Sequence, residues 1–461
     1  MAQPASPPPS PAAPGPARRT IRADTLARLR AAAVTEPGRL RIIGAVLALL
    51  VLVFGTVTVC QTANRAAAAD AVVDRGRPLS DDAASIYRSL ADADTTAAGA
   101  FLTGDGGSPA LRERYERDIR TASRLLTEAA ANAGVSGRGR EEITELNEQL
   151  TVYTGLVETA RANDRQGLPL GGAYLRHASE RMREHMLPAA DALYRSETAR
   201  LGEDRHRARA WPLAALLTGV AALAALGWAQ RRHYLRTNRV FSPGLLAATA
   251  ATAVLLLWLA AGHWLARSAL DESDRHGARS LQVLSAAWTT ALQARGDENL
   301  TLVARGGGTA YERSYRAGMR TLAGSRSSGG AGPDRQNGGQ LARALELADD
   351  EAGRAPVERA VRAAAVWRER HAAARELENG GRYEAAVGLV IRPGEDTARS
   401  AFDEVDTALA EAVRHERREF GRAAGRGRDA LAGLPAGAGA LSVLAAAGVA
   451  AGVGRRLSEY R

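Results

Sequence analysis

Four long apolar stretches without a charged residue interrupt an otherwise polar and strongly charged chain of 461 residues. They lie between Arg41 and Arg65, Arg209 and Arg231, Arg239 and Arg267, and Asp429 and Arg455. A helix needs about 20 mostly apolar residues to cross a bilayer, so each stretch predicts a transmembrane helix. The first exceeds the apolar core of a signal peptide, about 7–15 residues, which favours an uncleaved anchor.

The polar segments between these stretches have the apolar periodicity of packed helices. One stripe has the alternating spacing of three and four residues that places side chains on one helix face: Ile143, Leu146, Leu150, Tyr153, Val157 and Ala160. Similar stripes occur within residues 86–100, 111–129 and 175–193. They predict a four-helix bundle between the first two spans, and residues 267–429 follow the same plan with an extra short helix at 382–390.

Weak internal repeats indicate that this plan is duplicated. Phe101-Leu-Thr-Gly-Asp is echoed by Leu302-Val-Ala-Arg-Gly, and Tyr115 by Tyr315, in the same order. The predicted fold class is therefore all-α: an integral membrane protein with four transmembrane helices and two extracytoplasmic four-helix-bundle domains arranged as a tandem duplication. Pro78 and Pro188 are expected to kink the long outer helices, which should otherwise enter the bilayer without a break.

The arginines indicate the orientation of the chain, which has no lysine. The N-terminal 41 residues, the loop at 231–243 and the last seven residues are all net positive, whereas the two large loops together are nearly neutral. Arginine-rich short segments stay in the cytoplasm, so both termini are predicted to be cytoplasmic. The membrane accounts for the basic excess, and a nucleic-acid partner is not expected.

These observations set the predicted boundaries. The order is a disordered basic and Pro-rich tail (1–41), a span (42–64), the first extracytoplasmic bundle (65–209), a span (210–230), an Arg-rich cytoplasmic loop (231–243), a span (244–266), the second bundle (267–429), a span (430–454) and a cytoplasmic tail (455–461).

Helix lengths at about 1.5 Å per residue place two turns of the first bundle at its membrane-distal tip. Turns of this kind contribute little to a core and are common binding positions. The candidate partner-docking residues are Phe101, Leu102, Thr103, Gly104, Asp105, Gln166, Gly167, Leu168 and Pro169.

Catalytic chemistry is not apparent. The histidines outside the spans are scattered without metal-ligand spacing and are expected on solvated helix faces, and no nucleotide-binding loop or nucleophile motif occurs. We therefore expect no enzyme activity, cofactor or metal. Gly433 and Gly437, and Gly448 and Gly452, have the small-xxx-small spacing of close helix contacts in lipid, which fits packing within the chain or a homodimer.

Two resemblances bear on function. The Phe101-Leu-Thr-Gly-Asp motif followed by Tyr115 resembles the four-helix-bundle sensor domains of chemoreceptors and sensor kinases, although no HAMP linker or kinase follows. The duplicated plan, the basic Pro-rich N-terminus and the stretch Ala160–Arg176 resemble GlnX-type membrane proteins of actinobacteria. The second resemblance implies an amino-acid-sensing relay between a secreted solute-binding lipoprotein and a cytoplasmic Ser/Thr kinase, protein kinase G.

Other classes of function stay open at this stage. The chain fits a transporter accessory subunit or an envelope scaffold that does not switch. A transporter is less favoured, because the spans contain no acidic residues of the kind that form substrate sites.

Overall fold

A computed structural model describes residues 36–104, 108–132, 137–237, 243–272, 277–325 and 338–458. These residues form α-helices joined by short turns and contain no strand. Residues 1–35 of the predicted disordered tail and Asp105 lie outside the described residues, as does most of the Gly- and Ser-rich stretch at 324–340. Residues 36–41, which were predicted as part of the tail, belong to the first helix. The structure confirms the all-α class.

The first half of the chain contains seven helices among the described residues. They are α1 (Glu36–Ala71), α2 (Arg77–Leu102), α3 (Pro109–Ala131), α4 (Gly137–Arg165), α5 (Leu170–Arg181), α6 (Leu187–Arg209) and α7 (Leu213–Thr237). Two π-helical turns, Val72–Gly76 and Met182–Met186, join α1 to α2 and α5 to α6.

The second half contains eight helices among the described residues. They are α8 (Pro243–Glu272), α9 (Arg279–Val303), α10 (Thr309–Ala323), α11 (Gly339–Leu347), α12 (Glu351–Asn379), α13 (Tyr383–Ile391), α14 (Ala398–Leu431) and α15 (Leu434–Ser458). Helix α13 is the short extra helix expected at 382–390.

Among the described residues, four helices are long and apolar enough to cross a membrane, which confirms the predicted number of spans. Their packing within the chain involves the small-residue pairs. A Cβ on Gly244 of α8 would lie 2.5 Å from the carbonyl oxygen of Gly448 and 2.6 Å from the nitrogen of Gly452. The ring of Trp258 occupies the space beside Gly437. Small residues allow such backbone approach, so these glycines contact another span of the same chain.

Prolines lie where the long helices change geometry or end. Each π-helical turn ends within two residues of a proline, Pro78 or Pro188; proline cannot donate the helical hydrogen bond, and a π-turn is one way to accommodate it. The prediction that the long outer helices enter the bilayer without a break is wrong after α6 and α14. Pro212 disfavours helical geometry at the residue before it, and Gly433 has a φ of 81° before Pro435.

The described residues divide into two compact units, one of which contains the four spans. The other contains both intervening segments, which we call the first helical segment (62–211) and the second helical segment (261–432). Their buried side chains belong to one hydrophobic core. Helix α2 packs on α3 and α6 and also on α9, which in turn contacts α10 and α14.

This shared core refines the two-domain prediction. Residues 93–100 of α2 and 294–303 of α9 are buried on every side, as expected for helices with neighbours all round. Alanines and a glycine along α2, such as Ala97, Ala98 and Gly99, leave room for close approach. The two helices therefore serve both as members of their own segments and as the contact between them.

The internal repeat has structural counterparts. Tyr115 and Tyr315 are both buried, and each lies under a nitrogenous side chain from α4 or α12. The guanidinium carbon of Arg161 lies 4.3 Å from the Tyr115 ring centroid, and the His371 ring stacks on Tyr315 with centroids 3.6 Å apart. The two segments thus place equivalent tyrosines in equivalent surroundings.

Candidate functional site

The structure brings together the two turns that the sequence predicted as a docking surface. The α2–α3 turn begins with Thr103 and Gly104, and the α4–α5 turn comprises residues 166–169. A Cβ on Gly171 would lie 3.1 Å from the Phe101 ring, so Phe101 packs against the start of α5. We call the exposed residues of these turns, Thr103, Gly104 and Gln166–Leu170, the turn surface.

Backbone hydrogen bonds hold the turn surface in place. Gly167 has a φ of 70° and donates to the Asp164 carbonyl at 2.8 Å. Leu168 donates to the carbonyl of Asn163 at 3.0 Å. These bonds leave the apolar side chains of Leu168 and Leu170 at 43% and 57% exposure. Exposed apolar side chains on an ordered turn are available for contact with another protein.

A second candidate site is a cleft between the two helical segments. It encloses about 390 Å³ that is open to solvent. Asp92, Thr95 and Arg114 line it from the first segment, and Arg295, Asn299 and Phe402 are among those that line it from the second. We call this feature the inter-segment cleft.

One arginine in this cleft, Arg114, donates hydrogen bonds to two carboxyl groups. Arg114 donates to both oxygens of Asp92 at 2.9 Å and to Asp406 at 3.1 Å, and Asp406 also accepts from Trp288 at 2.6 Å. Burial and the neighbouring Asp92 raise the pKa of Asp118 to about 8, against the effect of Arg114. The raised pKa favours the protonated form of Asp118 at neutral pH, which reduces the repulsion between it and Asp92.

Further polar contacts cross between the segments. Thr95 donates to the Leu292 carbonyl at 3.0 Å, and Asn299 donates to the Thr95 carbonyl at 3.1 Å. Arg183 of the first segment lies 2.6 Å from Asp297 of the second. Hydrogen bonds and ion pairs are directional, so this interface defines a specific register between α2 and α9.

A buried ionic cluster lies next to the cleft in the second segment. Glu298 pairs with Arg295 and accepts hydrogen bonds from Trp367 at 2.9 Å and from His371 at 3.0 Å. His371 also bonds Glu312 at 3.0 Å. Burial lowers the pKa of His371, but the two carboxylates outweigh burial and raise it. We call Arg295, Glu298, Glu312, Trp367 and His371 the buried cluster.

This cluster corrects one sequence-based expectation. His371 was expected on a solvated helix face, but only 5% of its surface is exposed. Sequence spacing does not show the cluster, because Glu298, Glu312 and His371 come from three helices. The signal available in the sequence was spacing: His371 follows Trp367 by four residues, so both lie on the same face of α12.

The fold defines the class: an all-helical, multi-pass membrane protein with two packed helical segments between its spans. Residues 68–206, which cover most of the first segment, match the family described as "Actinobacterial sensor domain". No curated protein and no solved structure matches the chain. The match supports a sensing role for this membrane protein.

Proposed function

We propose that this protein is a non-enzymatic transmembrane relay. In this proposal an extracytoplasmic solute-binding lipoprotein, loaded with an amino acid, docks on the turn surface, and a cytoplasmic partner such as a Ser/Thr kinase receives the signal. The observation that carries the proposal is the sensor-domain match over residues 68–206, within which the whole turn surface lies.

The contacts of the first segment support docking at its turns. Partner-binding residues are most useful when a rigid scaffold holds an exposed loop. The turn surface has this character, because Phe101 anchors one turn against the other while Leu168 and Leu170 stay exposed.

The directional interface between the helical segments supports switching. Packed helices joined by specific polar contacts have discrete arrangements rather than a continuous range. A partner shifts such an equilibrium only if it binds one arrangement better. We infer that docking changes the preferred register of α2 and α9, and that residues 36–102, helical throughout, carry the change.

The spans argue for a relay over a transporter. Among the described residues of the spanning helices, His263 of α8 is buried beside Trp211 near the end of its span. The buried hydroxyl groups of Thr58, Thr252 and Ser442 each donate to a carbonyl four residues earlier. Substrate pathways are usually marked by buried charged groups or broken helices, and these hydroxyl groups serve the backbone of their own helix instead.

The proposal requires both helical segments to be extracytoplasmic. Reporter fusions after residues 150, 236 and 350 are expected to read outside, inside and outside, because the arginines near 231–239 retain that loop in the cytoplasm. An alkaline phosphatase fusion and a fluorescent-protein fusion at each position give two independent readings of the side of the membrane. A cytoplasmic reading at residue 350 contradicts the orientation.

Docking can be tested with a charged residue on the turn surface. Leu168→Asp is expected to weaken binding of a purified solute-binding lipoprotein from the same organism at least tenfold, or about 1.4 kcal/mol, as for a central interface residue. Binding is measured by biolayer interferometry on the full chain in nanodiscs, with and without the amino acid.

The matched control for this experiment is Val152→Asp. Val152 lies on α4 of the same segment and, like Leu168, is 43% exposed, so the two changes introduce the same charge at equal exposure. If both variants lose affinity equally, the turn surface is not the docking site. Binding that is absent in the parent chain favours a scaffold or a transporter accessory subunit.

A further inference from the structure

Four chemistry-bearing groups converge where the start of α12 packs against α14. Asp350 is the N-cap residue of α12, and His415, Glu416 and Glu419 lie on α14. His415 and Glu419 are four residues apart and share one helix face. One ligand atom each from Asp350, His415 and Glu419 lies within 4.8 Å of the others.

The imidazole of His415 lies close to two carboxylate oxygens. Nε2 of His415 lies 3.1 Å from Oδ1 of Asp350 and 4.0 Å from Oε2 of Glu419, yet it is buried without a hydrogen-bond partner. Two ligand atoms that are each about 2.1 Å from one ion lie up to about 4.2 Å apart. Small side-chain movements therefore bring these atoms to coordinating distance.

Glu416 supplies an independent observation. Its side chain is 2% exposed, and its Oε2 has no hydrogen-bond partner. Its other oxygen lies near Asp350, since a Cβ on Gly353 would lie 3.5 Å from Oε1 of Glu416 and 3.1 Å from Oδ1 of Asp350. A buried carboxyl group with an unsatisfied oxygen is costly unless a cation or donor compensates it.

The charges around this position are unbalanced. The ion pairs of the described residues join no arginine to Asp350, Glu416 or Glu419, although the chain has 61 arginines. A divalent cation relieves the repulsion among these carboxyl groups.

We propose that Asp350, His415 and Glu419 form a binding site for one divalent transition-metal ion, with the buried carboxyl group of Glu416 next to it. One imidazole nitrogen with carboxylate oxygens selects ions such as Zn²⁺ over Ca²⁺, because imidazole favours the softer transition metals. The ion links the N-terminus of α12 to the middle of α14. This site goes beyond the relay function and does not depend on it.

The test uses the full chain in detergent, without a polyhistidine tag, titrated calorimetrically with Zn²⁺, Mn²⁺ and Ca²⁺. We expect one Zn²⁺ per chain and a Tm about 5 °C higher when free Zn²⁺ is 100-fold above its Kd. His415→Ala should weaken Zn²⁺ binding at least tenfold and remove the Tm increase. Glu419→Gln should do the same while preserving side-chain volume.

The matched control is His177→Ala. His177 lies 3.5 Å from Glu180, but both side chains are more than half exposed, so this pair should contribute nothing to Zn²⁺ binding. The proposal is overturned if the parent chain binds no Zn²⁺, binds Ca²⁺ more tightly, or keeps its affinity in Glu419→Gln. The Tm of each variant without metal shows whether it is folded.

Discussion

Arg295→Met is expected to destabilise the chain by about 3–5 kcal/mol, the usual cost of breaking a buried ion pair. Arg295 is 4% exposed, pairs with Glu298 and donates to the Val390 carbonyl at 2.8 Å. Methionine fills a similar volume but leaves Glu298 with less compensating charge and the carbonyl without this donor. Thermal unfolding in detergent should show a Tm at least about 6 °C lower.

The control for this prediction is Arg124→Met. Arg124 forms an ion pair with Glu128 in α3, but both side chains are more than half exposed. Exposed pairs of this kind contribute about 0.3–0.5 kcal/mol. If Arg295→Met and Arg124→Met lower the Tm equally, the buried cluster does not stabilise the fold as its geometry indicates.

Asp118→Asn is expected to make the stability less dependent on pH. The pKa of Asp118 is raised to about 8 in the folded chain, from a reference value of 3.8. Between these values the folded state holds a proton that the unfolded state has released, so stability falls as pH rises. The loss between pH 6 and pH 8 is about 2 kcal/mol, and asparagine removes it because it does not ionise.

Urea-unfolding midpoints of the full chain at pH 6 and pH 8 measure this effect. Glu116→Gln is the control, since Glu116 lies on the same helix but is exposed and paired with Arg120. Its pH dependence should equal that of the parent chain. The assignment fails if Asp118→Asn keeps the full decrease in stability between pH 6 and pH 8.

Local sequence rules determined most of the secondary structure. Apolar length alone located the four spans, because a bilayer imposes a fixed length on an uncharged helix. Heptad spacing located the buried face of α4, including Tyr153 and Val157, because that face has period 3.5. Proline positions showed where the long helices change geometry, since the missing N–H is a local property.

The candidate sites were only partly accessible to the sequence. Two turns with exposed residues were predictable from glycine and proline, and so was their proximity from helix length. The inter-segment cleft was not, because Asp92 and Asp406 are more than 300 residues apart and both contact Arg114 only when the two helical segments pack together. His371 was misplaced because nothing in α12 alone shows that two carboxylates from other helices approach it.

The sequence by itself therefore determined the helices, the spans and the turn surface, which all depend on neighbouring residues. Tertiary structure alone decided that the two helical segments share one core. It also decided which of the many arginines and carboxyl groups are buried together. The physical reason is that amphipathic periodicity identifies one buried face of a helix, whereas residues 93–100 of α2 and 294–303 of α9 are buried on every side. The helix of the other segment that each one packs against is decided by complementary shape and charge, which appear only once both segments are folded.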